Sequence, residues 1–334
     1  MQRVMISRTD GIGDVILTLP VAGLLKEEYL DVEILFLAQN YTRPIVECST
    51  NVDTFISWED LASASFKERV KILESLNLDA IIHVFPRKEL AKAAKKAKIP
   101  IRVGTSHRIF HLTTCNKLVN LSRKNSELHE SQLNFMLLKP LIDNCFYEIP
   151  EIFPKAGFLA PEKQDGVSEY LDKEKINIVL HPKSKGSARE WGLENFKNLI
   201  EILDPLKYNI ILTGSEQEGK AFRDTLVSSF PHVLDTSGRL SLIQLVSLIA
   251  QSDALIACST GPLHIASILD IYTIGIYPPI RPMHPGRWKP IGNKSIVIVK
   301  ETECNKCRKS DICSCITDIK PDEIAKILQS LNFN

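Results

Sequence analysis

Short apolar runs alternate with helical patterns along nearly the whole chain, and this alternation restricts the possible folds more than any other feature. Predicted strands occupy residues 4–7, 32–38, 54–57, 80–84, 101–103, 176–181, 209–213, 233–234, 254–258, 272–277 and 296–299. Strands that are separated by helices form parallel sheets with helices on both faces. We therefore predict an α/β fold of two doubly wound domains that face each other across a cleft.

A stretch rich in proline, glycine and charge, residues 150–164, separates two halves of the same layout and indicates a linker. We predict an N-terminal domain over residues 1–155, a second domain over residues 165–315 and a C-terminal helix within residues 316–334. In the first domain we expect one apolar helix that runs to about Tyr29, and one long helix from Glu127 to Asn144.

The composition is that of a soluble globular protein, since 44% of the 334 residues are hydrophobic and 24% are charged. A net charge of +1 argues against a general nucleic-acid binder, which is normally basic. No apolar stretch reaches the ~20 residues of a membrane span, and the N-terminus enters a strand without a signal-peptide pattern. The sequence thus predicts a cytoplasmic protein with no nucleic-acid partner.

A loop that contains two glycines and two carboxylates directly follows the first strand. Gly11 and Gly13 permit a tight turn and the close approach of a substrate, and Asp10 and Asp14 are candidates for proton transfer. Asp14 alone is also explained as an acid that complements a helix start. That explanation does not account for the additional charges of Arg8 and Asp10.

The segment from Ala254 to Ala266 combines an apolar strand, a short turn and a helix with Pro262 in its first turn. Ser259, Thr260 and Gly261 form the turn. The unpaired amides and the positive dipole end of such a helix start favour a phosphate group. An ordinary capped turn is the alternative, because strand-to-helix turns with glycine are common.

Cations lie in a second loop, after the first strand of the second half. Lys183, Lys185 and Arg189 stand in a Ser/Gly-rich segment that can cradle a diphosphate, although a solvated charged loop is the alternative. Glu218 follows the next strand, where carboxylates in nucleotide-binding folds hold ribose hydroxyls.

Four segments, in this order, resemble the motifs of the bacterial ADP-heptose:lipopolysaccharide heptosyltransferases, glycosyltransferase family 9. They are residues 8–20 (RTDGIGDVILTLP), 181–191 (HPKSKGSAREW), 236–241 (TSGRLS) and 259–264 (STGPLH). The resemblance covers nearly the whole chain. It implies the GT-B fold, in which two Rossmann-like domains face each other, and an inverting glycosyltransferase that requires no metal for catalysis.

By position, the resemblance implies that Asp14 is the general base, with Asp10 as the alternative, and that Arg8, Gly11 and Gly13 lie at the acceptor. It assigns Glu218 to the ribose and Leu240 to the adenine of the donor. All the residues that it implies for the donor are Ser184, Lys185, Arg189, Glu218, Leu240, Ser259, Thr260, Gly261, Pro262, Leu263 and His264.

The resemblance further implies an ADP-heptose donor and a lipid-linked acceptor in the lipopolysaccharide core. Such an enzyme is expected in the cytoplasm, at the inner face of the inner membrane, with peripheral contact through the basic run of residues 87–98. A merely solvated helix face is the alternative for that run.

Two positions depart from the family pattern. The best-studied heptosyltransferases have Asp-Thr-Gly-Leu where this chain has Ser259 followed by Thr-Gly-Pro, and a lysine at the position of Arg189. Another nucleotide sugar or another surface glycan therefore stays open. So does a nucleotide-sugar-binding protein without turnover, although Asp14 beside a basic phosphate loop argues against it.

Four cysteines, Cys304, Cys307, Cys313 and Cys315, crowd into twelve residues near the C-terminus. In a reducing compartment, two close pairs favour a tetrahedral thiolate site, with zinc as the expected metal. Paired thiols or a disulfide remain alternatives, because Cys-x-Cys is an awkward spacing for one metal. A zinc-linked nucleic-acid binder is opposed by the near-zero net charge.

Overall fold

The structure is a computed structural model that describes residues 1–124, 126–184, 186, 188–281, 283–300, 304 and 313–333. The chain divides into two compact units, Met1–Leu159 and Ala160–Asn334. The boundary falls within the stretch that the composition indicates as a linker.

The first unit contains a parallel six-stranded sheet in the spatial order β3-β2-β1-β4-β5-β6. Its strands are β1 (Arg3–Ser7), β2 (Glu33–Ala38), β3 (Thr54–Ser57), β4 (Ala80–His83), β5 (Ile101–Thr105) and β6 (Lys117–Val119). Its helices are α1 (Ile12–Ile16), α2 (Pro20–Glu28), α3 (Arg43–Glu47), α4 (Trp58–Ser63), α5 (Phe66–Ser75), α6 (Lys88–Lys96), α7 (Ile109–Thr114), α8 (Glu130–Met136) and α9 (Ile149–Ile152).

The second unit repeats this arrangement, with the strand order β12-β11-β10-β7-β8-β9. Its strands are β7 (Ile176–His181), β8 (Tyr208–Leu212), β9 (Leu234–Asp235), β10 (Ala254–Cys258), β11 (Tyr272–Tyr277) and β12 (Ser295–Val299). Its helices are α10 (Leu193–Ile202), α11 (Glu216–Phe222), α12 (Leu242–Ala250), α13 (Gly261–Ile268), α14 (Pro285–Trp288), α15 (Ser314–Thr317) and α16 (Pro321–Ser330).

Short segments of other helix types complete the two units. The 3-10 helices are Asn40–Thr42, Phe153–Ala156 and Ser168–Tyr170, and a π-helix, Arg223–Val227, continues α11. Phe153–Ala156 packs against α2 of the first unit.

The central strands are buried on both faces, as expected for parallel sheets covered by helices. In the first unit, Leu35, Leu37 and Ile81 pack against Leu73 of α5 and Leu90 of α6. In the second unit, the sheet packs against side chains of α10 and α16, in a core that includes Phe196, Ile256, Ile274 and Leu328. Complete burial of one such side chain contributes roughly 1.5–3 kcal/mol, so the contacts between sheets and helices stabilise both units.

The strand order reverses once in each unit. In the first unit the chain builds outward from β1 through β2 and β3, and then continues on the other side of β1 with β4. In the second unit it builds from β7 through β8 and β9, and then continues with β10 on the other side of β7. At such a reversal the loops after the two adjacent strands diverge and leave room for a ligand. The loop after β1 begins at the reversal in the first unit, and the loop after β7 begins at the reversal in the second unit.

Two predicted helices differ from the structure. The apolar helix that was expected up to Tyr29 is divided into α1 and α2, because Pro20 begins a new helix at its N1 position after a turn. The long helix expected from Glu127 to Asn144 covers only Glu130–Met136. Pro140 cannot donate a backbone hydrogen bond and disfavours helical geometry in the residue before it.

Candidate functional site

A cluster of charged side chains follows β1. Arg8 is 3% exposed, and its guanidinium donates to three carboxylates. Nε donates to Asp10 Oδ1 at 2.7 Å, Nη1 donates to Glu130 Oε1 at 2.9 Å, and Nη2 donates to Asp14 Oδ1. The side chains of Asp10 and Asp14 are 23% and 25% exposed, whereas Glu130 is completely buried. Two carboxylates are thus presented to solvent by one buried cation.

Glu130 and Arg123 belong to this cluster, and the sequence analysis missed both. Glu130 is the first residue of α8 and accepts from Arg123 as well as from Arg8. Arg123 also donates to Asn134 Oδ1 at 2.9 Å, and Asn134 donates to Leu17 O at 3.0 Å, just beyond α1. Neither residue stands in a motif near the first strand, so no local pattern could identify them.

The charges of the cluster shift the pKa of Asp10. Burial raises this pKa to about 6, repulsion from Asp14 and Glu130 adds to the rise, and attraction to Arg8 acts against it. Burial would lower the pKa of Arg8, but the attraction of Glu130, Asp14 and Asp10 raises it above its ordinary value. Arg8 therefore stays charged, while Asp10 takes up a proton in mildly acidic solution.

The sequence analysis assigned Arg8 to the acceptor. Arg8 is buried and bound to three carboxylates, so in this structure it holds Asp10 and Asp14 in place. Neighbouring elements fix the loop from both sides. Gln39, after β2, donates to Thr9 O at 2.9 Å, and Arg87, after β4, donates to Thr9 Oγ1 at 2.8 Å.

The two glycines of this loop lie beside the carboxylates. Gly11 is the N-cap of α1, and a Cβ added to it would lie 3.3 Å from Asp14 Oδ2. Gly13 lies in the first turn of α1, and its carbonyl accepts from Leu17 N at 3.0 Å. Asp14 stands in the same first turn, where the helix dipole stabilises its negative charge. Gly11 thus keeps the approach to Asp14 Oδ2 open.

In the second unit, the predicted phosphate turn follows β10. Thr260 is the N-cap of α13, and Pro262 lies in the first turn. Thr260 is 5% exposed, and among the described residues its Oγ1 has no hydrogen-bond partner. A buried hydroxyl without a partner is costly, and a bound oxygen atom at this helix start would satisfy it. Gly261 is partly exposed at the same end of the helix.

Not every side chain of this turn can reach a ligand directly. Leu263 and His264 are 0% and 4% exposed and pack inside the unit, so they support the turn rather than line an open surface. Burial raises the pKa of Tyr277, and the neighbouring Ser259 side chain acts against that rise. The Tyr277 hydroxyl donates to Trp288 O at 2.7 Å.

The cationic loop begins at the neighbouring strand, since His181 of β7 pairs with Ala257 of β10. Within it, Glu190 accepts from Lys183 Nζ and, at 2.9 Å, from Ser184 N. Glu190 is a residue that the sequence analysis did not single out, and it accepts from two of the donors in the predicted phosphate-binding loop. Ser184 Oγ donates to Ala188 O at 3.0 Å. Arg189 is partly exposed in the same loop, and Lys185 lies outside the described residues.

Trp191 anchors the end of this loop. It is completely buried, and its Nε1 donates to Ile319 O at 2.9 Å. Its ring packs edge-on against the ring of Phe196, with 4.9 Å between the ring centroids. Burial raises the pKa of the Cys258 thiol at the end of β10, and the neighbouring backbone amide of Trp191 acts against that rise. The end of the cationic loop therefore lies beside the strand that precedes the predicted phosphate turn.

Two other predicted donor residues have partners within the protein. Glu218 forms a capping box with Ser215 at the start of α11, and its Oε2 accepts from Ser215 N at 2.7 Å. Leu240 is half-buried against Val167, Ile211 and Leu248. Both lie on the second unit, and their assignments to ribose and adenine stay predictions.

A thiol cluster lies near the C-terminus. The sulfur atoms of Cys304, Cys313 and Cys315 lie within 4.8 Å of one another. Cys307, the fourth cysteine of the predicted set, lies outside the described residues.

A family model described as glycosyltransferase family 9 (heptosyltransferase) matches residues 71–316. The chain belongs to this family. It is therefore a glycosyltransferase, as the four motifs predict. A Haemophilus influenzae Rd protein assigned as a glycosyltransferase is 27% identical over 88% of this chain and 87% of its own length. Lipopolysaccharide heptosyltransferase 3 of Escherichia coli is 23% identical over 85% of each chain.

Among solved structures, E. coli ADP-heptose LPS heptosyltransferase II superposes with a TM-score of 0.75 at 18% identity, over 99% of this chain and 98% of that one. This likeness confirms the predicted GT-B fold class. In the described part of the chain, none of the helices combines the length and the hydrophobicity needed to cross a membrane.

Proposed function

We propose that the protein transfers heptose from ADP-heptose to an acceptor in the lipopolysaccharide core, with inversion at the anomeric carbon. The observation that carries this proposal is the pair of part-exposed carboxylates, Asp10 and Asp14, held by buried Arg8 in a family 9 chain. The named activity of the E. coli relative supports the choice of heptose and of lipopolysaccharide.

Asp14 is the proposed general base. Arg8 holds its Oδ1, and its Oδ2 lies on the side of Gly11, where the missing side chain leaves room for an acceptor hydroxyl. Asp14 Oδ2 would take the hydroxyl proton as the oxygen attacks the anomeric carbon from the face opposite the leaving group. One displacement of this kind inverts the anomeric configuration. Asp10 shares the cation with Asp14 and is the alternative base.

The proposed donor site is the loop pair after β7 and β10. Negative charge grows on the diphosphate as the sugar–phosphate bond breaks. The N-terminus of α13, the Thr260 hydroxyl and the cations Lys183, Lys185 and Arg189 would stabilise that charge. Because these groups supply positive charge themselves, we propose a reaction that requires no metal ion for catalysis.

The experiment is a transfer assay with ADP-heptose and a lipopolysaccharide core that lacks heptose. Mass spectrometry should detect the gain of one heptose residue, and NMR should give the new linkage the anomeric configuration opposite to that of the donor. Retention of configuration would contradict the single displacement. Titration calorimetry with ADP, UDP, GDP and CMP should show the tightest binding for ADP, and a preference for UDP would exclude the heptose donor.

A second candidate is the same enzyme class with another nucleotide sugar. It is favoured by Ser259, a neutral residue at the position of the carboxylate of the best-studied heptosyltransferases. A neutral hydroxyl forms a weaker hydrogen bond with a sugar than a carboxylate does. A panel of nucleotide sugars in the same assay separates the two candidates. Turnover with any of them would exclude a protein that only binds the donor.

We further propose that the acceptor is lipid-linked and that the enzyme works at the cytoplasmic face of the inner membrane. Residues 87–119 contain nine lysines and arginines and one glutamate. Lys92, Lys95 and Lys96 of α6 are exposed, and Lys95 Nζ donates to Thr113 O of the neighbouring helix α7 at 2.7 Å. Arg87 does not belong to this surface, because it contacts Thr9 and lies over the ring of Trp58.

Helix α7 presents apolar side chains beside these cations. Ile109 and Leu112 stand three residues apart on one face of α7 and are 85% and 54% exposed. Aliphatic side chains within a basic surface suit the interface of an anionic bilayer. The aliphatic side chains insert between the lipids, and the anionic headgroups attract the lysines. We call Ile109, Leu112, Lys92, Lys95 and Lys96 the α6–α7 surface.

A further inference from the structure

Three sulfur atoms converge at the junction between the last strand and the C-terminal helices. Cys313 and Cys315 are each 4% exposed, and Cys304 packs against the same core cluster of the second unit. The sulfur atoms of Cys304 and Cys313 are 3.2 Å apart, and all three lie within 4.8 Å of one another. No disulfide joins the cysteines that the structure describes.

This spacing suits a metal better than a covalent bond. A disulfide requires two sulfur atoms at about 2.05 Å and involves only two of the three thiols. Four sulfur ligands around zinc, each at about 2.3 Å from the metal, stand roughly 3.8 Å from one another. The three sulfur atoms are already gathered on that scale, in a position where water has little access.

We infer that Cys304, Cys313 and Cys315 form a structural zinc site of the thiolate type. Zinc would bind as Zn²⁺, and each thiol would lose its proton to solvent as its sulfur becomes a ligand. Cys307 lies outside the described residues, so the site is proposed on three of the four ligand positions of tetrahedral zinc.

The site is connected to the proposed donor loop through α15. Cys313 is the N-cap of α15, and its carbonyl accepts from Ile316 N and Thr317 N, each at 3.1 Å. Thr317 O in turn accepts from Asn195 Nδ2 at 2.7 Å, and Ile319 O accepts the indole hydrogen of Trp191. Trp191 ends the cationic loop. The metal therefore fixes the segment on which that loop rests, and this second part of the inference depends on the proposed function.

The first experiment measures metal content directly. The full-length protein is produced without affinity-tag metals, and zinc and iron are measured by plasma mass spectrometry. We expect about one zinc per chain, with a loss of at least tenfold in Cys313→Ser and Cys315→Ser. The matched controls Cys145→Ser and Cys48→Ser change thiols outside the cluster and should keep the metal. Less than half an equivalent of zinc in the parent protein, or equal losses in the controls, would overturn the site. One iron per chain would overturn the assignment to zinc.

The second experiment does not require the variants to fold. Native mass spectrometry of the parent protein, before and after a chelator, should show a mass loss equal to one zinc ion. Alkylation before and after that loss should then label Cys304, Cys313 and Cys315 only in the stripped protein. Labelling at the same rate in both states would contradict ligation by these thiols.

The connection to the donor loop is tested by ADP titration calorimetry on the metal-bound and stripped forms. Removal of zinc should weaken ADP binding by about tenfold while the circular dichroism spectrum stays the same. Zinc stoichiometry with unchanged ADP affinity would retain the site and overturn its effect on the loop. Loss of ADP binding in both forms would instead contradict the proposed function.

Discussion

Glu130 is 122 residues from Arg8 in the sequence, yet its Oε1 accepts a hydrogen bond from Arg8 Nη1 at 2.9 Å. Glu130 is completely buried and also accepts from Arg123. It therefore neutralises the inner side of Arg8, while Asp10 and Asp14 bind on the outer side. The orientation of the part-exposed carboxylates of Asp10 and Asp14 therefore depends on the buried carboxylate of Glu130.

Removal of the base should affect the chemistry more than the binding of the donor. Asp14→Asn keeps the size of the side chain and removes the basic oxygen, so turnover should fall ~10²–10⁴-fold. ADP affinity should change little, because the donor loops lie in the other unit. The measurement is kcat with donor and acceptor both saturating. The control Asp10→Asn should cost less, and a rate of Asp14→Asn within threefold of the parent would transfer the role to Asp10.

Loss of the buried Glu130 charge should act through the carboxylates. Glu130→Gln weakens a charge-assisted hydrogen bond worth about 1.5–3 kcal/mol, so kcat should fall roughly 10–100-fold. The pKa of Asp10 is raised to about 6, first by burial and partly by Glu130, so activity should decline as the pH falls through about 6. In Glu130→Gln this acidic limb should move to lower pH. The exposed Glu47→Gln serves as control, and an unmoved limb would refute this coupling.

Glu190 should compete with the diphosphate for the cationic loop. Glu190→Gln keeps an oxygen that can accept from Ser184 N and removes the charge that binds Lys183. Because Lys183 is then released, ADP should bind about 3–10-fold more tightly, a gain of ~1 kcal/mol. Calorimetry at low salt measures the effect. The exposed Glu194→Gln, in the first turn of α10, should leave the affinity unchanged. Weaker binding by Glu190→Gln would mean that Glu190 mainly supports the loop.

His83, the last residue of β4, should make the first unit sensitive to acid. Burial, with smaller contributions from His111 and Arg102, lowers the pKa of His83 to about 3 from an ordinary value of 6.5. Between these values the unfolded chain binds a proton that the folded chain does not. The free energy of unfolding should therefore decrease as the pH falls from 6.5 towards 3, by up to ~1.4 kcal/mol per pH unit.

Urea denaturation at pH 7.5 and pH 5.0 measures this difference. In His83→Gln the difference between the two pH values should shrink, whatever the absolute stability of the variant. His107→Gln, a change at an exposed histidine of the same unit, should retain the difference. An equal pH dependence in all three proteins would exclude His83 as its source.

The α6–α7 surface should bind anionic bilayers. Sedimentation with phosphatidylglycerol-containing vesicles should retain the protein, and vesicles of pure phosphatidylcholine should not. The double change Ile109→Asp, Leu112→Asp should lower the partition coefficient by at least about tenfold, because it removes apolar burial and adds negative charge. Leu206→Asp is the matched control, since Leu206 is 82% exposed on the second unit. An equal loss in the control would contradict a specific surface.

The sequence predicts the two sheets well because their strands are continuous apolar runs. β3, β7, β10 and β11 occur at the predicted bounds, and β6, with two exposed residues at the edge of its sheet, was not recognised. The motifs placed Asp10, Asp14 and Thr260 next to strand ends for the same reason: a loop that follows a parallel strand begins at a known edge of the sheet.

The sequence could not predict the ion-pair and hydrogen-bond partners that tertiary packing brings to the site residues. Glu130 reaches Arg8 because α8 packs against α2, and Asn134 of α8 donates to Leu17 O in the turn between α1 and α2. Glu190 lies inside a recognised motif, but its binding to Ser184 N depends on how the loop folds back on itself. Long-range ion pairs and loop conformations leave no periodic signal, so periodicity and motif spacing cannot locate them.

The buried position of Trp191 has a spectroscopic consequence. The chain has three tryptophans, and Trp191 is completely buried, with its indole hydrogen-bonded to Ile319 O. Its emission should therefore lie to the blue of that of a solvated indole. Replacing Trp58 and Trp288 with phenylalanine would leave a single emitter that joins the cationic loop to the segment after the cysteines. Nucleotide binding on one side of this residue, and metal removal on the other, could then be followed by fluorescence in one sample, without a label.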